Sequence, residues 1–396
     1  MNSNKDILKG SKTSQSTRNC PALRFPGFSD PWTQTTLGEV AERVTRRNSN
    51  NITLRPLTIS AQYGLIDQRD FFDKVVASSN LEGYYLLKKG EFAYNRSSSS
   101  NYPWGAIKRL EHYNDGALST LYICFSLGYG HPIFFSYFFE TTNWYNHIQS
   151  VSAEGARNHG LLNIAVSDFF ALPLSLPSLG EQRKIAEFLS LIDDRLEVSA
   201  KIIKELKTQK AGLQDAIFKQ RLRFPNFSDP WTQTTLGEVL VCHSSNLTER
   251  DIQSDGSIPI WGASGYVGYT EVDSPLTESI LIIKDGSGVG RVQYIKEEHY
   301  FLATLNSLGS KSEIVHQKFI YYFLSQFDFR QYVSGSGIPH IYFKDYSKAS
   351  IPLPSLEEQK KIAELFTIFD ERIEVEEALL KCYETQKRYL LRQMFV

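Results

Sequence analysis

RFPGFSDPWTQTTLGE, residues 24–39, returns at residues 223–238 as RFPNFSDPWTQTTLGE, with Asn226 in place of Gly27. A second pair follows the same order: LPSLGEQRKIAE at 176–187 and LPSLEEQKKIAE at 353–364. This period is far too long for a solenoid, whose repeats run to a few tens of residues. It marks the tandem duplication of a whole domain together with the helix that follows it.

From about Glu181 the apolar period becomes helical. Ile185, Leu189, Ile192, Leu196, Ile203, Leu206, Leu213 and Ile217 fall on alternating steps of three and four, with Ser199 and Lys210 in the two weak slots. Ile362, Phe366, Phe369, Ile373, Leu380, Tyr383, Leu390 and Met394 repeat the seam, with Glu376 and Lys387 in the weak slots. Such a seam predicts two coiled-coil helices of ~40 residues, each ~60 Å long. Ser178 with Glu181, and Ser355 with Glu358, have capping-box spacing at their starts. An apolar seam of that length needs a partner, and the other copy is the obvious one. Helix one passes at once into RFPNF, so helix two must start at its far end and return. The helices are therefore expected to be antiparallel and pseudo-two-fold, with the RFPGF copy near the end of helix two.

The stretches between repeats have mixed character. LRPLTISAQYGLI (54–66), GYYLLKKGEFAYN (83–95) and TLYICFSLG (120–128) have strand composition between turn-forming clusters. PIFFSYFFETTNWYNHI (132–148) and its counterpart HQKFIYYFLSQFDFRQYV (316–333) have the aromatic spacing of a short buried helix. Glycine turns follow both, SAEGARNHG and SGSGIPH, and then strand-like runs into LPSL. The expected class is α+β: a polar tail over 1–21, mixed domains over 22–178 and 222–355, and coiled-coil helices over 179–221 and 356–396.

Composition bounds the rest. The 396 residues carry a net charge of −1, and 41% of them are hydrophobic, as in ordinary soluble proteins. Residues 22–178 hold 13 basic and 13 acidic side chains, and residues 222–355 hold 10 and 14. A nucleic-acid-binding domain is usually basic, so any DNA binding must come from local clustering or basic partners. Cys20, Cys124, Cys242 and Cys382 are scattered and suggest neither a disulfide framework nor a metal site. The N-terminal stretch has no apolar core, and no run approaches the ~20 residues of a membrane helix. A reducing cytoplasm is the expected compartment.

Two similar but unequal domains on a two-fold frame suit an elongated, roughly dyadic ligand, and DNA with paired half-sites is the leading candidate. The LPSLxEQxKIAExL signature, twice opening a long helix after a domain that begins WTQTTLGE, resembles the specificity (S) subunit of type I restriction–modification systems across nearly the whole chain. That resemblance implies two target-recognition domains reading the halves of a split DNA target, with the helices setting the gap. It implies no catalysis in this chain. S-adenosylmethionine, ATP and Mg would belong to partners: two methyltransferase (M) subunits and up to two restriction (R) subunits.

The residues agree with a non-catalytic role, since no GxxxxGK[ST] phosphate loop is present. SDPW lacks the second proline of the amino-methyltransferase NPPY motif, GSGVGR (286–291) lacks a strand–turn–helix setting, and the ExK spelling at Glu205–Lys207 sits inside the heptad helix. Arg and Lys suit guanine or phosphate, and Asn suits adenine. The DNA-contact candidates in the first domain are Asn95, Arg96, Tyr102, Trp104, Lys108, Arg109, Arg157 and Asn158. In the second they are Trp261, Tyr266, Tyr269, Lys284, Arg291, Asn306 and His340. Each has a structural alternative: the tryptophans as core, Asn306 as the holder of its turn. Gln182, Arg183, Gln359 and Lys360 are candidates for the M-subunit interface, or for packing of domain on helix. The rival readings are a scaffold joining two proteins and a fused methyltransferase.

Overall fold

The computed structural model describes residues 20–60, 63–71, 80–152, 160–272, 275–311, 313–335 and 337–396. Almost all of the expected polar tail lies outside them. The chain divides into two compact units, Met1–Val198 with Leu380–Val396, and Ser199–Leu379.

The two units repeat one element order. In the first, a four-stranded antiparallel sheet runs Ala41–Arg43, Ile123–Leu127, Phe92–Asn95, Ala106–Arg109 from edge to edge. In the second, the order is Leu240–Ser244, Leu305–Ser310, Ser279–Ile283, Val292–Ile295. The TQTT of each long repeat forms a separate ribbon with the strand before LPSL: Thr33–Thr36 against Pro173–Leu176, and Thr232–Thr235 against Ser350–Leu353. The units differ beyond this frame. The first adds two two-stranded sheets, and the second a three-stranded sheet around Ile258–Gly262.

Aromatic residues fill the space between sheet and helices. Phe92 stacks on Phe125 at 5.2 Å and Tyr94 on Phe169 at 4.9 Å, all four buried. Contacts of this kind add about 0.5–1.5 kcal/mol each beyond their area. The aromatic stretches form two helical pieces rather than one. Pro132–Glu140 and Tyr145–Val151 do so in the first unit, and Gln317–Leu324 with a 3-10 turn Phe329–Tyr332 in the second. Each strand-like run into LPSL begins with a helical turn, Val166–Phe170 or Phe343–Tyr346.

The long helices span Leu179–Phe218 and Leu356–Met394. Within each unit they run antiparallel. In the first, Leu189 and Ile192 share one core with Leu390 and Met394, and Asp193 meets Lys387. In the second, Lys207 meets Glu377 while Lys210 meets Asp370, so numbers fall on one helix as they rise on the other. The RFPGF copy does meet the end of the second helix: the Leu23 N–H donates to the Gln393 carbonyl at 2.9 Å.

The long repeats are structural joints. Arg24 donates from Nε and Nη2 to the two Glu181 oxygens at 2.8 and 2.6 Å, and Arg223 does the same to Glu358 at 3.0 and 2.7 Å. Trp231 adds Nε1–H to Glu358 at 3.1 Å. This corrects half of the capping-box expectation. The N–H groups of Glu181 and Glu358 do bond Ser178 and Ser355 Oγ. Their carboxylates, however, turn to arginine, because a bidentate charged pair outweighs a neutral backbone donor.

Gln182 and Gln359 complete the joint. Each accepts from the N–H of the residue opening the aromatic helix, His131 or His316, and donates to the carbonyl of Pro177 or Pro354. Both are fully buried within the chain, which leaves no atom free for a partner. The packing alternative holds for these two. Arg183 and Lys360 stay exposed.

Candidate nucleic-acid interface

In each unit, the loop entering the outermost sheet strand is tied to a second loop by the same pair of backbone bonds. In the first unit, residues 96–105 lead from Phe92–Asn95 into Ala106–Arg109. The Leu162 N–H donates to the Arg96 carbonyl at 2.8 Å, and the Ser98 N–H to Gly160 at 2.6 Å. In the second, residues 284–291 lead from Ser279–Ile283 into Val292–Ile295. The Ile341 N–H donates to the Lys284 carbonyl and the Gly286 N–H to Pro339, both at 2.9 Å. Arg96 and Lys284 are thus structural equivalents. Both loops close on a left-handed glycine, Gly105 at φ 79° and Gly290 at φ 86°. A side chain at Gly105 would strike the Asn95 carbonyl, and one at Gly290 the Phe329 ring. GSGVGR is therefore a hairpin loop with no helix behind it.

The first loop and the two strands flanking it carry six of their unit's eight candidates, with unequal freedom. Arg96 is spent on structure: Nη2 donates to the Leu121 carbonyl at 2.8 Å and Nη1 to Ile164 at 3.3 Å. Asn95 Oδ1 accepts from the Ser97 N–H. Trp104 packs against the main core, and its carbonyl accepts from the Tyr94 hydroxyl. Arg109 bonds Glu111 and Ser136. Lys108 makes no hydrogen bond or ion pair with the described residues. It lines a cleft of about 360 Å³ with Tyr102, Trp144, Tyr145 and Arg388. Arg157 and Asn158 lie outside the described residues.

In the second unit Lys284, Arg291 and His340 come together on the paired loops, and neither Lys284 nor Arg291 has a side-chain partner among the described residues. Arg291 is exposed and folds over Gly288, where any Cβ would collide with its guanidinium. His340 stands 5.0 Å from the Tyr342 ring, over which Lys344 Nζ lies at 5.1 Å. Tyr342, 49% exposed, and Lys344 were missed in the sequence. Their signal was the run HIYFK directly after the glycine turn.

Trp261, Tyr266 and Tyr269 form a separate group on the hairpin Ile258–Gly262 with Gly265–Thr270. Tyr266, half exposed, has its ring 5.6 Å from Tyr269 and 6.4 Å from Trp261. Trp261 packs against the smaller core of this unit. Asn306 lies within a strand, not a turn. It is buried, and its Oδ1 accepts from Ser244 Oγ at 2.9 Å. Its side chain serves the sheet.

Burial, not activation, governs the thiols near these sheets: it raises Cys124 to about 12 and Cys242 to about 11, as for inert thiols. Among the described residues no three His, Cys, Asp or Glu side chains gather as metal ligands. No helix among them is long and apolar enough to cross a membrane.

A duplicated α+β domain, an antiparallel helix pair and a paired-loop edge in each unit define a two-module binding protein. Residues 131–208 and 228–382, more than half of the chain, match the type I restriction modification DNA specificity domain, and the chain belongs to that family. The type I restriction enzyme MjaVIII specificity subunit of Methanocaldococcus jannaschii is 29% identical over 136 residues, 34% of this chain and 32% of that one. The putative type I specificity subunit S.MgeORF438P of Mycoplasma genitalium is 24% identical over 59% of this chain and 64% of that one. The matches thus span from a third to just under two thirds of these relatives' own lengths. The fold is that of the crystal structure of the M. genitalium type I S subunit, with TM-score 0.63 and 18% identity over 95% of this chain and 99% of that one. A structure described for complex assembly and conformational transition of the type I R-M system aligns with TM-score 0.53 and 16% identity, covering 93% and 97%.

Proposed function

We propose that this chain is the DNA-recognition subunit of a type I restriction–modification complex, each unit reading one half of a split target. The observation that carries the reading is the paired-loop edge, held by the same backbone bonds in both units yet spelled RSSSSNYPWG in one and KDGSGVGR in the other. One frame with two unequal sets of side chains suits two unequal half-sites. Among the described candidates, Lys108, Lys284 and Arg291 are the free cations, suited to guanine edges or phosphate. Tyr102, Tyr266 and Tyr342 add partly or wholly exposed aromatic surface.

The helices set the gap and dock the M subunits. Docking is supported by an exposed apolar pair at equivalent places on each helix: Leu191 and Val198, 62% and 53% exposed, and Ile368 and Val375, 63% and 54%. Arg183 and Lys360 extend the charged rim of each surface. Methyl transfer, with S-adenosylmethionine, belongs to those partners, as ATP and Mg do to the R subunits.

Reconstitution with M subunits, followed by mapping of methylated adenines on random DNA, tests the reading. The expected result is one bipartite motif with a fixed gap. Methylation without any sequence preference would leave the rival reading, a scaffold between two proteins, which the net charge of −1 favours.

A further inference from the structure

One weak slot of each apolar seam is occupied by a lysine, Lys210 or Lys387, and the two find matching partners. In the first unit, Lys387 Nζ lies 2.7 Å from Asp193 Oδ1 and 2.9 Å from Glu140 Oε2. Tyr137, from the aromatic helix, donates its hydroxyl to Asp193 Oδ2 at 2.7 Å. In the second unit, Lys210 pairs with Asp370, and Tyr322 donates to Asp370 Oδ2 at 2.7 Å. The ammonium also lies over the tyrosine ring, at 5.2 Å for Lys387 and 5.0 Å for Lys210. Each cluster joins three elements: the helix leaving the domain, the helix returning to it, and the domain's own aromatic helix. The lysine side chains are only 17% and 16% exposed. Burial works against the charge of Lys387, yet Glu140 and Asp193 hold its pKa above the ordinary lysine value.

An apolar seam does not fix its own register. A slip by one heptad, ~10 Å along the axis, again sets apolar residues against apolar ones. Polar residues break this degeneracy. In one direction a slip of seven sets Lys210 against Ala363 and Lys387 against Ala186. In the other, Lys210 would meet Glu377, but Lys387 would face Ala200. Either way a lysine is buried against alanine, and the aspartate it leaves keeps its tyrosine but loses its cation.

We propose that the two Lys–Asp–Tyr clusters lock the register of the helix pair, and through it the length of the gap between half-sites. The second clause rests on the split-target reading; the first does not. Isosteric apolar replacement of a buried ion pair is often neutral or stabilising, whereas polar residues in a seam specify register at a cost in stability. The clusters therefore act by excluding slipped pairings.

The test uses the full chain with Lys210→Met, Asp370→Leu, Lys387→Met and Asp193→Leu together, which removes both ion pairs at once while Tyr137 and Tyr322 keep Ser190 and Thr367 and Glu140 keeps access to water. Spin labels at Glu187→Cys and Arg392→Cys, in a background free of native cysteines, report register in the first unit. The unaltered seam should give a single distance. The quadruple variant should give a second, longer distance, from helices displaced by ~10 Å along their axis, with thermal stability equal or higher. Lys210→Asp with Asp370→Lys, and Lys387→Asp with Asp193→Lys and Glu140→Gln, should restore the single distance. One unchanged distance in a folded quadruple variant overturns the lock. Reconstituted with M subunits, the quadruple variant should also methylate targets whose gap differs by ~3 base pairs at the native half-sites, since a heptad spans about three steps of 3.4 Å. A gap as strict as the parent's, despite a shifted spin-label distance, would separate register from spacing. A parent with no split target refutes the reading of function and leaves the lock to the distance measurement.

Discussion

The arginine–glutamate joints show what a single residue contributes here. Glu181 and Glu358 have side chains only 2% exposed, and each neutralises an arginine that opens a long repeat. Replacing Glu181 with Ala leaves Arg24 mostly buried without its partner. That should cost about 3 kcal/mol, the low end for a broken buried pair, because Arg24 keeps some access to water. Glu358→Ala should weaken its unit further, because it also strips Trp231 Nε1–H of its acceptor. Urea unfolding of each full-length variant, followed by hydrogen exchange, would place the loss in the corresponding unit; unchanged midpoints would refute the joint. The sequence presented both residues only as half of a capping box. Which donor the carboxylate takes depends on an arginine 157 or 135 positions away, and no local spacing reports it. Likewise, Gln182 and Gln359 looked like surface residues by type. Their burial follows from backbone groups of the aromatic helices, which leave no mark in the residue alphabet.

At the scale of elements, the helices were legible and their surfaces only partly so. A seam with a step of three or four is a local signal, so Ile185 to Ile217 and Ile362 to Met394 could be read directly. The lysines of the weak slots were visible as exceptions to it. Their partners were not, because Asp193 and Asp370 look like any solvated helix carboxylate until the aromatic helix is folded against them. One loop of each pair was legible as a glycine turn, but main-chain bonds join it to the other, and any sequence can make those. The outer faces support one further expectation. Leu191→Asp with Val198→Asp, or Ile368→Asp with Val375→Asp, should each release one M subunit from the complex while leaving the chain folded. Native mass spectrometry would count them, and retention of both M subunits by both variants would refute docking on these faces.

For the whole molecule, the duplication separates frame from content. The frame comprises the joints, the ribbon between each TQTT strand and the strand before LPSL, the sheet order and the helices. The content comprises the paired loops and the added sheets, which differ between units. Exchanging residues 40–175 for the corresponding stretch of another member of the family should change one half of the methylated motif. The other half and the gap should persist. Sequencing of methylated adenines would decide it, and a change in both halves would contradict the modular picture.

The near-identity of the joints has a consequence for inheritance. If the proposed reading holds, a crossover within the segments encoding RFPGFSDPW and LPSLGEQ would deliver a complete new cassette with its couplings already matched. A lineage could then acquire a new target in one genetic event, without any adjustment in its partner genes. Point mutation in the loops would be the slow route to new specificity, and exchange of cassettes the fast one.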